Sequence, residues 1–351
     1  YDSNYQSYFS NEIITTNYQN INKLNNLDLN CTSIIYDEVH KITDYGIFDK
    51  DRKNLKNIFP KSDQHIYVSA TPEHFIINKD KNTKYVKYVK NNEVKRDIEL
   101  FYFKSKKTMF KNLYGYISKN TDKINIIYNN NKNENANIVS SFEKHNIKME
   151  LVDSEHKNEA YKEIIENETL SKSIVCTSIL NDGVNIQNNI DNVIIIDNST
   201  QSFFDYYQFI NRFRNCTPTI KILRLSKPNK DFNLRNININ KFIKDQYNTR
   251  IEAIKEDIKI INEKNIDVNV VVADGKTVNI NNKIIDINVL DYVYNKNGMY
   301  FINENLVKYD VFQDIKNKIL GSYGDFKYFL QYFVNIVSER ICDAKDVKKN
   351  V

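Results

Sequence analysis

Short apolar runs punctuate the first part of the chain: TSIIYDE (32–38), QHIYVSA (64–70), KINIIYN (123–129), KSIVCTS (172–178) and NVIIIDN (192–198). They are rich in β-branched residues and apolar on consecutive positions, which predicts strands of a parallel sheet covered on both faces. Between them the spacing lengthens to helical periods. A helix is predicted over 134–145, after the YNNNKN turn, and another over 155–168, between a strand and the next apolar run. Strands alternating with helices in this order predict an α/β fold.

After residue 228 the rhythm changes. Tyr247, Ile251, Ile254, Ile258 and Ile261 recur at spacings of four and three, one apolar face of a long helix over 240–264. Short strands are expected over 267–289 around ADGKTV. Residues 311–341 read as helical, with Phe326, Phe329, Leu330 and Phe333 on one face. Both apolar stripes are what ordinary core packing produces. The pattern divides the chain into 1–97, 98–228 and an accessory α+β region, 229–351.

Composition narrows the class. With 41% hydrophobic and 27% charged residues over 351 positions, the chain is globular and long enough for two or three cores. Heavy use of Asn, Ile and Lys with no Trp suggests an AT-rich coding bias, which weakens propensity arguments. A net charge of +5 permits a polyanionic partner without demanding one. Cys31, Cys176, Cys216 and Cys342 form no CxxC pair, which argues against zinc or a disulfide framework and for a reducing, cytoplasmic setting. No apolar stretch approaches membrane-spanning length and no signal-peptide pattern is present, so no membrane partner is expected.

Four segments hold candidate chemistry. Asp37-Glu38-Val39-His40 ends an apolar run, where one carboxylate could hold Mg²⁺ through its waters and the next could polarise an attacking water. Ser69-Ala70-Thr71-Pro72 follows another strand, with small hydroxyls able to bond the acidic tip; alone it is an ordinary turn before proline. In VCTSILNDGVNI (175–186), Thr177 closes a strand and Gly183 would let the backbone approach a ligand. In YYQFINRFRN (206–215), a continuous helix would put Gln208 and Arg212 one turn apart on one face, both able to reach one phosphate. An arginine fork stays charged and binds phosphate oxygens bidentately.

Taken in order, these four segments resemble the superfamily 2 helicases of the DExH type. The resemblance implies two RecA-like domains, the first truncated at its N-terminus, which clamp ATP and move on DNA or RNA. It implies that Asp37 and Glu38 serve Mg²⁺ and water, that His40 couples that site to the second domain, and that Ser69 and Thr71 link hydrolysis to strand movement. Thr177, Gly183 and Asn185 match the motif that meets the nucleic-acid backbone and the nucleotide. Gln208 and Arg212 match the motif that ends in an arginine finger. EIITTNYQNINKL (12–24) resembles a strand-contacting segment through Thr15 and Thr16, and INIIYNN (124–130) a further family motif.

The departures are specific. Asn211 stands where the family has glycine before its first arginine. Arg214 comes one residue earlier than the family's second arginine, and position 215 is Asn. A similar Arg-x-Arg arrangement resembles that of some phage and viral members, origin-binding helicases among them, and leaves two candidates for the finger, Arg212 and then Arg214. The phosphate loop GxxxxGK[ST] has no match, and no glycine precedes Asp37. Gly275-Lys276-Thr277 is a decoy: position 270 is Val, and Asp274-Gly275 between alternating strands predicts a hairpin. Since the chain opens on Tyr1, the loop is expected upstream in a longer product.

The expected function is thus an ATP-dependent helicase or translocase with ATP and Mg²⁺ as cofactors, and replication or transcription proteins as further partners. Its oligomeric state is open, and its place is the cytoplasm, of the host if phage or viral. The alternatives are a clamp that binds nucleic acid without turnover, or the motor part of a restriction or nuclease system. KYVKYVK (84–90) interleaves bases and aromatics but reads first as strand and linker.

Overall fold

The computed structural model describes residues 33–37, 64–68, 86, 95–181, 184–197, 203–225, 239–263, 277–280, 283–286, 292–321 and 323–342. The chain divides into two compact units: Tyr1–Tyr85 with Ile237–Ile315, and Val86–Asn236 with Lys316–Val351. The stretch expected as one accessory region, 229–351, is thereby shared between them.

In the first unit β1 (Ser33–Tyr36) pairs in parallel with β2 (Gln64–Tyr67), Tyr36 opposite Tyr67.

The second unit is built on β3 (Arg96–Phe103), α1 (Lys106–Ser118), β4 (Asn125–Tyr128), α2 (Lys132–Glu143), β5 (Glu150–Val152), α3 (Glu159–Asn167), β6 (Ile174–Cys176), β7 (Asn192–Asp197), α4 (Phe203–Ile210) and β8 (Thr219–Leu225). Helix starts follow the local chemistry. The side chains of Ser105, Asn131 and Asn158 each accept a hydrogen bond from a backbone amide in the first turn, of Thr108, Glu134 and Tyr161. All three helices therefore begin a few residues after the carboxyl end of a strand.

Back in the first unit, α5 (Ile239–Glu263) buries Ile251, Ile254, Ile258 and Ile261, the predicted stripe. The antiparallel pair β9 (Thr277–Ile280) and β10 (Lys283–Asp286) follows. Thr277 thus opens a strand, whereas a phosphate loop runs into a helix; Asp274 and Gly275 lie outside the described residues. A second hairpin, β11 (Val293–Lys296) and β12 (Met299–Ile302), turns at Asn297-Gly298 with φ of 55° and 80°. Both signs match the left-handed pair of a two-residue hairpin turn. Asn262 of α5 closes the edge of β12 by donating to the Tyr300 carbonyl and accepting from its amide.

The chain then runs through α6 (Glu304–Gly321) and α7 (Tyr323–Phe333) into β13 (Val334–Cys342). The helical expectation for 311–341 is therefore corrected over its last part. Val334, Ile336 and Val337 are β-branched, and the whole length of β3 offers an unpaired parallel edge that β13 fills. No glycine or proline marks the change at Phe333, so the sequence pattern alone did not show it.

All described strands of the second unit are parallel, in the order β13-β3-β8-β7-β4-β6-β5. Alternation along each strand makes two faces. Phe101, Phe103, Ile127, Val175, Ile194, Ile196 and Leu223 turn to α1 and α2, where Met109, Leu113, Ile117, Ile138 and Phe142 complete one core. Residues of the opposite parity include Tyr128, Asp197 and Arg224. Tyr128 stacks on Phe209 of α4 at 4.2 Å, and Arg224 lies against Phe326 of α7. The expected α/β fold, with a parallel sheet flanked by helices, is what the chain forms.

Candidate functional site

In open parallel sheets, ligands bind outside the carboxyl ends of the strands, where loops rather than helices meet the sheet. In the second unit this edge carries Thr177, just past the carboxyl end of β6, whereas Arg212 and Arg214 lie in the loop that leads into the amino end of β8. Thr177 follows β6 directly; it is buried, and its amide donates to the Val152 carbonyl at 3.2 Å. Beside it, the Ser178 amide and hydroxyl both donate to the Asn130 side chain, at 3.3 and 3.0 Å. Asn181 is buried and donates to the Tyr128 hydroxyl at 2.9 Å, while its own carbonyl oxygen accepts no hydrogen bond. The same holds for the side-chain oxygen of Asn185, which is buried although its amide donates to Glu168 at 3.1 Å. These two amide oxygens without donors, on the chain that links β6 to β7, can accept from a ligand or from water.

Backbone pairing joins two segments that the sequence keeps apart. Ile186 and Phe213 form an isolated parallel bridge. The Ile186 amide donates to the Arg212 carbonyl at 2.8 Å, and the Arg214 amide donates to the Ile186 carbonyl at 3.3 Å. Asn185 and the two arginines are therefore held on adjacent strands of chain. This pairing also corrects the helical geometry expected for Gln208 and Arg212. Helix α4 stops at Ile210, and Arg212 sits in the following turn, its amide donating to the Phe209 carbonyl at 3.0 Å. Gln208 is buried on α4, Arg212 is half-buried, and Arg214 is exposed.

Arg96, on β3, braces this loop from outside the motif. Its guanidinium donates to the Cys216 carbonyl at 2.7 Å and to the Phe213 carbonyl. Glu168 braces it from the end of α3, where it adopts the left-handed conformation with φ of 54°. Its carboxylate accepts from Asn185 and Gln187, its carbonyl accepts from the Gln187 amide at 2.8 Å, and Asn215 donates to Gln187. The hydrogen bonds from Asn185 and Gln187, with a smaller attraction from Arg214, hold the Glu168 carboxyl below its usual range. Beneath α4, Asp197 and Arg224 form a buried ion pair in register across β7 and β8. Removing one partner of such a pair costs about 3–5 kcal/mol, because the other is left charged and dry. The sequence pointed to none of these four residues, though one signal was present: Asp197 and Arg224 are charges at core-facing positions of apolar strands.

Of the remaining candidates, Asp37 is exposed in the turn that ends β1. Tyr36 is buried, bonds His65 Nδ1 at 3.0 Å and stacks on Tyr67, which locks the two strand ends side by side. Glu38, His40, Ser69, Thr71, Thr15, Thr16 and Gly183 lie outside the described residues. Among the described residues no group of three His, Cys, Asp or Glu is arranged to hold a metal ion. No helix of the described residues is long and apolar enough to cross a membrane.

Residues 105–215 match the family described as the helicase conserved C-terminal domain. That segment contains Thr177, Asn185, Gln208, Arg212 and Arg214, and its sheet is of the RecA-like α/β type. Among solved structures, S. cerevisiae Dbp5 bound to RNA and ADP BeF3 is similar at 15% identity and a TM-score of 0.40, over 61% of this chain and 55% of that one. A DEAD box protein from Methanococcus jannaschii is similar at 17% identity and a TM-score of 0.30, over 59% of this chain and 58% of that one. Mycobacterium smegmatis helicase Lhr, bound to ssDNA and AMP-PNP, is similar at 13% identity and a TM-score of 0.37, over 55% of this chain and 28% of that one. The chain thus spans less than two thirds of the length of each. No curated protein sequence matches this one.

Proposed function

We propose that the chain is the motor portion of a nucleic-acid helicase or translocase of superfamily 2, of the DExH type, that hydrolyses ATP. The observation that carries this is the helicase C-terminal match over 105–215, the segment in which backbone pairing brings Asn185 beside Arg212 and Arg214. In this reading Asn185 and Thr177 meet the sugar-phosphate chain or the nucleotide, and Arg212 is the finger that neutralises charge on the transferred phosphate. Arg214 is the second choice, because it already faces Glu168. Exposed Asp37 is suited to hold Mg²⁺ through water, and Glu38 to orient the attacking water. ATP and Mg²⁺ supply the phosphoryl group and the charge that balances it. The chain itself contains no GxxxxGK[ST] match to grip the phosphates.

Lysines support a polyanionic partner. Lys106, Lys132 and Lys157 are exposed just past the carboxyl ends of β3, β4 and β5, on the edge that carries Thr177. Each stands at or beside a helix N-terminus, where the helix dipole favours a bound phosphate; Lys106 and Lys132 pair with Glu134 and Glu155 at 3.0 and 2.6 Å, exposed pairs that a phosphate would compete for.

The test is an ATPase assay on a polypeptide that joins this chain to a phosphate-binding loop. Single-stranded oligonucleotide is expected to raise turnover at least several-fold, and Glu38→Gln to abolish it. Turnover that ignores nucleic acid would sink the motor reading. Salt-sensitive oligonucleotide binding that ATP leaves unchanged would instead favour a clamp without turnover. Origin in a phage or virus, and a role in DNA replication, belong to the same proposal and rest on the Arg-x-Arg spacing and the coding bias alone.

A further inference from the structure

The sheet face opposite the main core carries a continuous chain of contacts. It begins in the C-terminal segment, outside the part that matches the helicase domain. Phe326 of α7 is fully buried, with its ring face 4.0 Å from the Arg224 guanidinium. Arg224 pairs with Asp197, and both side chains are almost completely buried, at 5% and 0% exposure. Asp197 accepts from the Tyr206 hydroxyl at 2.8 Å. Burial, and then the Asp197 charge, push the Tyr206 phenol far above its usual range, so it keeps its proton and donates. Tyr206 meets Tyr128 edge-on, Tyr128 stacks on Phe209, and Phe209 meets Phe213 edge-on at 5.4 Å. Phe213 lies between Arg212 and Arg214.

A second contact runs in parallel. Tyr207 of α4 meets Phe333 of α7 at 4.8 Å, and the two helices pack directly. The segment is anchored at its far end as well. β13 pairs with β3 from Arg96 to Phe103, and the Lys95 ammonium donates to the Gln331 carbonyl at 2.8 Å. Strand β3 therefore carries Arg96, which braces the arginine loop on one side, while its outer edge is held by β13.

We propose that α7 and β13 are a built-in positioning element for the arginine loop, with Phe326 acting through Arg224, Asp197 and Tyr206 to set where α4 ends and how Arg212 is presented. The functional meaning rests on the motor reading above, while the coupling itself does not. The physics favours transmission. An ion pair buried under one aromatic ring has few alternative arrangements, because any displacement leaves a charge unpaired in a dry site. Removing the ring lets water reach the pair and frees Tyr206 to move with it. Whatever binds or displaces α7 would then change the geometry of the arginines without touching them.

Native-state hydrogen exchange on the whole chain tests this with no nucleotide or nucleic acid present, so its failure and that of the motor reading are separable. The reporters are the amides of Asn211, Arg212 and Ile186, all held by backbone bonds of the loop. Phe326→Leu keeps an apolar side chain but removes the ring face. It should speed exchange at these amides about five- to tenfold, the scale of a lost cation–π contact, while amides of α2 keep their wild-type rates. Phe326→Tyr keeps the ring face and should restore slow exchange at the loop. Tyr206→Phe cuts the relay downstream, and adding Phe326→Leu to it should give less than the sum of the two separate effects. The proposal fails if acceleration is confined to α7 and β13, if it spreads equally to α2, or if the two substitutions simply add.

Discussion

At the scale of single residues, Glu168 gives the sharpest expectation. Its folded-state carboxyl is held below the ordinary value by bonds from Asn185 and Gln187. A depressed carboxylate contributes stability above its unfolded pKa, and that contribution disappears as pH falls through the folded value. The 185–187 segment should therefore loosen only in acid. Followed by NMR, the side-chain amides of Asn185 and Gln187 should show a shared inflection below about 4.3, the ordinary glutamate value. Glu168→Gln should erase that inflection, and a titration at or above the ordinary value would remove Glu168 from its bracing role. None of this was readable in ETLSKS. Only the folded chain brings Glu168 against residues that follow it by a full strand and turn.

At the scale of elements, the arginine loop depends on β3. Two bonds from Arg96 to main-chain carbonyls are charge-assisted, each worth about 1.5–3 kcal/mol, and both carbonyls lose their partner if the guanidinium goes. Arg96→Met should lower unfolding stability by about 3 kcal/mol in urea titrations. A change below about 0.5 kcal/mol, the range of ordinary surface substitutions, would show that the loop holds itself. The strands that the apolar runs predicted appear where they were expected, because consecutive buried β-branched residues leave little else to form. The stripe of α5 was legible for the same reason, since its period survives any tertiary setting. β13 was not, because Phe326, Leu330 and Phe333 keep a helical period right up to a boundary that only the open edge of β3 creates. Gln208 and Arg212 were placed on one helix by spacing. The bridge between Ile186 and Phe213 overrides that spacing by drawing the chain out of the helix after Ile210.

At the scale of the whole molecule, charge placement matters more than the net value of +5. If the strand-end edge carries a phosphate backbone, Lys106→Ala, Lys132→Ala and Lys157→Ala should each weaken oligonucleotide binding. Each should also lower the salt slope of log K by about 1. Lys119→Ala and Lys123→Ala, exposed towards the amino end of β4, should leave the slope unchanged, and equal effects from both sets would mean that binding is diffuse. The order of the motifs along the chain, and the alternation of strand and helix, were settled by sequence alone. Local periodicity and residue type follow from covalent neighbours and need no fold to be read. Tertiary structure alone decided which distant segments share an edge: Asn185 beside Arg212, Arg96 under Phe213, and Phe326 over Arg224. Those pairings depend on strand order and register in a seven-stranded sheet. They arise from burying two faces and every inner edge at once, a condition on the whole chain that no short stretch of it contains.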